Sequence, residues 1–222
     1  MTRARRSEST VPLDRAVAAL VRFSARIAAG SELSMRAGCS ECVTTGVPVE
    51  WVEELLLQSY LFCGFPRALN ATREWRRISG VRAPAVGSDR ATPGETDGGL
   101  ERWRAQGEAT CAIVYGEFYG KLRQNIVALH PALDEWMIAE GYGKILSRPG
   151  LELRHRELCI VAACIAGGQE RQLHSHLHGA LNAGSSPSEL RAALNALHDL
   201  VTPDQLIRSL LLLDRLTPPT RR

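Results

Sequence analysis

"GGQERQLHSHLHGALNAGSSPSEL", residues 167–190, is the stretch from which the fold follows. A glycine pair opens it, a segment with helical spacing runs to Gly184, and the chain restarts at Ser186 and Pro187. Gly184 stands where a C-terminal cap turns the chain with positive φ, and Pro187 then falls in the first turn of the next helix. Ser186 with Glu189 three residues on predicts a capping box. The apolar residues up to Ala166 predict a preceding helix, so Gly167 and Gly168 become the turn of an antiparallel helical hairpin.

The pattern repeats upstream. "LDRAVAALVRFSARIAAG" (13–30) and "VEWVEELLLQSYLF" (49–62) carry apolar residues at helical spacing, Gly46 and Pro48 stand as Gly184 and Pro187 do, and no strand-like run competes. The fold class is therefore all-α, with helices predicted near 13–29, 32–44, 49–62, 66–78, 101–128, 131–140, 154–166, 169–183, 187–199 and 203–215. One ungapped register, an offset of 138, pairs Leu20 with Leu158, Ala25 with Ala163, Ile27 with Ile165, Gly30 with Gly168, Glu32 with Glu170, Gly46 with Gly184 and Leu56 with Leu194. Two tandem helical units are expected: a degenerate one over 1–79, a Gly/Pro-rich linker or loop over 80–100, and a second unit over 101–222.

Composition bounds the rest. The 222 residues are 45% hydrophobic and 23% charged with a net charge of +3, a balance that fits a globular chain able to bury roughly 70% of its unfolded surface. Arg3, Arg5, Arg6, Arg221 and Arg222 read as solvated tails, so no nucleic-acid partner is expected. No stretch approaches the roughly 20 apolar residues of a membrane span, and no signal peptide is read at the N-terminus. A cytoplasmic protein with six mostly buried, unpaired cysteines is expected.

Three histidines fall within five positions. At about 100° per residue His174 and His178 share one helix face with Glu170, while His176 projects to nearly the opposite side, so the three cannot bind one ion together. The Glu170, His174, His178 stripe reads as a polar face or subunit contact, and no metal is expected. His176 lies on a face of small and amide side chains (Gln169, Gln172, Ala180, Ala183), where an imidazole suits proton transfer near neutral pH. Counting back across the glycine turn puts Glu157 within plausible reach of it, either as a structural hydrogen bond or as an orienting group.

The stretch "YGKILSRPGLELRHRELCIVAACIAGGQERQLHSHLHGALNAGSSPSEL", residues 142–190, resembles the carboxymuconolactone decarboxylase family. The resemblance rests on Arg148-Pro149-Gly150-Leu151, Arg156-Glu157-Leu158, Leu173, His176, Gly179-Ala180-Leu181-Asn182, Gly184 and Glu189. It implies an AhpD-like helical bundle and, for two-unit members, a homotrimer. AhpD-like alkylhydroperoxidases of the same superfamily place Cys-x-x-Cys four residues before this histidine. Here those positions are Gln169 and Gln172, and amides cannot perform disulfide chemistry. The "CSEC" pair, Cys39 and Cys42, falls two turns away from the corresponding positions of the first unit (Ser31, Ser34, with Gly38 for the histidine) and reads as packing thiols.

What the resemblance then implies is cofactor-free decarboxylation, or related proton transfer, of a small cyclic lactone acid in aromatic-compound catabolism. His176 is expected as proton donor, Glu157 as its orienting group, Arg148 or Arg154 as the anchor for the acid, and His178 as a further substrate-binding side chain. The competing readings are an inactive scaffold or small-ligand binder, and a peroxidase using other cysteines.

Overall fold

The computed structural model describes residues 13–85 and 99–218, so the arginines at 3, 5, 6, 221 and 222 and most of the 80–100 linker lie outside the described residues. The described chain is helical, with no strand among its residues: α1 (Arg15–Ala29), α2 (Glu32–Thr44), α3 (Val49–Ser79), α4 (Gly99–Tyr115), α5 (Tyr119–Leu129), α6 (Pro131–Trp136), a π-helix (Met137–Leu146), α7 (Leu153–Ala166), α8 (Glu170–Asn182), α9 (Pro187–Asn195) and α10 (Pro203–Leu216). Among the described residues, no helix is long and apolar enough to cross a membrane.

Local chemistry sets the boundaries. Asp14 accepts hydrogen bonds from the Ala16 and Val17 amides at 2.9 and 3.2 Å and starts α1. The capping box forms: Ser186 Oγ accepts from the Glu189 amide at 3.1 Å and Glu189 Oε2 from the Ser186 amide at 2.9 Å. α7 is buried from His155 through Ile165, so it is the central helix, sandwiched between α1 and α8.

Two predicted boundaries shift. The single helix predicted over 101–128 breaks at Gly116, whose φ of 52° leaves helical geometry, and a 3-10 turn over Gly116–Phe118 follows. The two helices predicted over 49–62 and 66–78 merge into α3 with a kink at Gly64 (φ 77°, ψ 159°). Pro66 has no amide hydrogen to give the Phe62 carbonyl four residues back, and Gln169 Nε2 donates to that carbonyl instead at 3.3 Å.

α4 and the π-helix approach until backbones touch. A Cβ placed on Gly143 would lie 1.9 Å from the Trp103 carbonyl oxygen, and one on Gly107 would lie 1.9 Å from that of Ile138. Only glycine permits this crossing.

α1, α2 and α3 begin at 15, 32 and 49, and α7, α8 and α9 at 153, 170 and 187, each offset by 138 residues. The spacing extends to capping contacts: Arg67 donates to the Ile27 carbonyl at the end of α1, and Gln205 donates to the Ile165 carbonyl at the end of α7.

Candidate functional site

Gly168, at φ 68°, reverses the chain between α7 and α8. The resulting hairpin brings Glu157 Oε2 and His176 Nδ1 to 2.8 Å. Glu157 is fully buried and His176 is 5% exposed. With Nδ1–H donating to the carboxylate, the imidazole is fixed as one tautomer and its Nε2 is left for chemistry. The second carboxylate oxygen, Oε1, is buried with no hydrogen-bond partner. Gly179 makes room for the acid, since a Cβ there would stand 2.6 Å from Glu157 Oε2.

The surroundings are aromatic and neutral. Phe62, from α3, meets the His176 ring edge-on at 5.4 Å. Tyr142 and Tyr115 pack edge to face at 6.3 Å. Burial first, then Tyr115 and the Glu157 carboxylate, hold the Tyr142 phenol well above its ordinary range. Burial pushes the Cys111 and Cys164 thiols up to about 12. Cys39 and Cys159 are pushed equally far by the same cause and Cys63 to about 11, so these sulfurs are protonated thiols and poor nucleophiles. All six cysteines are free. Cys39 and Cys42 are fully buried.

Gln169, which stands where the AhpD-like pattern would have its first thiol, accepts from Cys164 Sγ at 3.6 Å while it holds Phe62. Gln172 lies at the surface. Ala19 and Gly38 occupy the positions offset by 138 from Glu157 and His176. A Cβ on Gly38 would come within 2.6 Å of the Phe23 ring, which fills the space a histidine would need.

The predicted anchors are placed differently from the expectation. Arg148 is committed to Glu54, with Nε 3.0 Å from Oε2 and Nη2 3.0 Å from Oε1. Arg156, fully buried, shares that carboxylate at 2.8 Å and also donates to Gln58 and to the carbonyls of Leu151, Arg148 and Pro149. The Arg-Pro-Gly-Leu motif is thus a clasp between α3 and α7, and Gly150, at φ 91°, is required where a Cβ would meet Glu50. Arg154 pairs with Glu152 at 2.8 Å and with Glu189 at 3.7 Å, beside a surface cavity whose lining includes neither Glu157 nor His176. His178 packs against His174 at 5.0 Å and Phe118 at 6.1 Å, on the other flank of α8. Glu170, the third member of that stripe, pairs with Arg208 at 3.1 Å. Phe62, Glu54 and Tyr142 carried no local signal in the sequence, because their roles arise only when distant helices meet.

Residues 131–210 match the carboxymuconolactone decarboxylase family. That stretch of the chain is similar to the family. The match spans the Glu157–His176 hairpin and the Gly179 that accommodates it. Peroxisomal protein 2 of Schizosaccharomyces pombe is 31% identical over 152 residues, which cover 65% of this chain and 65% of that protein. The all-α arrangement is consistent with the AhpD-like bundle of the superfamily.

His155, one residue from the clasp, gives the protein a pH response. Burial, and secondarily Arg154, lowers its pKa from the ordinary 6.5, and its Nδ1 is buried without a partner. The folded state therefore binds fewer protons than the unfolded chain, and stability is lost as pH falls from 6.5 through the depressed value. His178, lowered by burial and by His174, acts with the same sign. Asp199, held down to about 2 by its hydrogen bonds with Arg22, adds a second loss between 3.8 and 2. Melting temperature against pH is expected to show both declines, with His155→Leu flattening the upper one.

Proposed function

We propose that the Glu157–His176 pair is a proton-transfer site acting, without a cofactor, on a small cyclic lactone acid. The 2.8 Å contact between a buried carboxylate and an almost buried imidazole carries this reading. The bond from the substrate's ring carbon to its carboxylate breaks, carbon dioxide leaves, and the electron pair passes into the conjugated lactone carbonyl. Protonated His176 then delivers the Nε2 proton to carbon as the pair returns from oxygen, and solvent reprotonates the ring. Glu157 orients the imidazole and stabilises its cationic form. Carbon dioxide release from cyclic lactone acids by the purified protein tests this reading, and no release from any of them overturns it.

One observation favours the second reading, a small-ligand binder: cavities of about 490, 350 and 250 Å³ are lined by neither Glu157 nor His176. The peroxidase reading has little support, since five of the six thiols are buried, Cys63 is partly buried with its pKa raised to about 11, and the redox positions are amides.

We read the two sets of helices offset by 138 as tandem related units, and the assembly as a homotrimer. α10 exposes Ile207 and Leu211, and Leu211 and Leu212 border the 490 Å³ groove, an apolar face that a neighbour can cover. Light scattering on the full chain is expected to give three times 24.3 kDa, and Leu211→Glu to lower it. The cytoplasmic location belongs to this proposal too, the relative's peroxisomal name marking the alternative compartment.

A further inference from the structure

The flank of α8 away from His176 holds a cavity of about 250 Å³ with its own chemistry. Its walls are two helix faces with the same spacing: Lys121, Leu122 and Asn125 of α5, and His174, Ser175 and His178 of α8. Tyr115 and Phe118 complete the lining. None of these side chains is acidic, and Lys121 has no ion pair among the described residues. α5 buries no residue of its own, so its Lys121 face stays accessible across the gap to α8.

An ammonium, a carboxamide and imidazole N–H groups present donors to an anion, while the Phe118 and His178 rings, tilted by 57° with centroids 6.1 Å apart, form an aromatic wall for a π-system to pack against. The volume falls below the usual range for drug-sized ligands and suits a single ring. We propose that this cavity binds a small planar ring carboxylate, with Lys121 and Asn125 receiving the carboxylate and the ring packing against the wall formed by Phe118 and His178. The site is distinct from the Glu157–His176 pair. It deepens the ligand-binder reading and does not depend on the proton-transfer one.

Benzoate titrated into the full-length protein, followed by calorimetry and amide NMR, tests it. Saturable binding is expected to perturb the amides of Lys121, Asn125 and Ser175. Uncharged benzamide is expected to bind more weakly, and Lys121→Gln, at an exposed position, to weaken benzoate about fivefold. His176→Gln is expected to leave benzoate affinity unchanged, so failure of the proton-transfer reading and failure of this one are separately visible. Absence of saturable binding, equal affinity for benzamide, no effect of Lys121→Gln, or displacement of benzoate by equimolar inorganic phosphate overturns the assignment.

Discussion

His176→Gln is expected to lower the rate of carbon dioxide release from the lactone acid by about 10²–10⁴-fold, the range for removing a positioned general acid. The amide keeps much of the ring's bulk but supplies no titratable proton at the Nε2 position. Because His176 is almost buried beside Phe62, substrate affinity and melting temperature are measured in the same variant. A selective loss of kcat with the fold intact supports proton transfer, and unchanged turnover removes it. Glu157→Gln separates the two roles of the pair. The amide still fits beside Gly179, but without the carboxylate it neither fixes the tautomer nor stabilises the imidazolium, so a loss of kcat at unchanged KM is expected.

Gly143→Ala is expected to have the largest effect on stability. The added Cβ would stand 1.9 Å from the Trp103 carbonyl oxygen and 2.6 Å from its carbon, both backbone atoms that no rotamer change can move. Overpacking of this kind costs about 3 kcal/mol or more. For a chain of this size that lowers the melting temperature by about 6–12 °C. Gly120→Ala is the control: a Cβ there meets nothing within 4 Å, and alanine in the helical α5 is expected to stabilise by about 0.5–1 kcal/mol. Equal melting temperatures for the two variants would contradict the backbone contact between α4 and the π-helix.

The helices were legible because each buries a periodic apolar face bounded by chemical punctuation, as at Asp14, Gly184 and Ser186. The offset of 138 could be read from Leu, Ile and Gly positions and recurs in the helix starts. The Glu157–His176 contact was within reach of counting because both residues belong to one hairpin with a short turn. Gly116 gave no warning, since glycine is tolerated inside helices at modest cost and only its positive φ marks the break. The arginines were harder still. A guanidinium in a loop looks the same in sequence whether it awaits a substrate or, like Arg148, grips a carboxylate 94 residues upstream. The same holds for Gln169, whose amide answers a carbonyl that Pro66 orphaned on a separate helix.

Glu54 ties the two halves of the chain together by charge. With that carboxylate gone, Arg156 would be a fully buried cation next to Glu157, left without its counter-ion, a severe cost for the segment that holds the histidine. Through Glu54 the amino-terminal half, which carries Ala19 and Gly38 at the positions offset by 138 from Glu157 and His176, acts as an electrostatic keystone for the helix that bears Glu157.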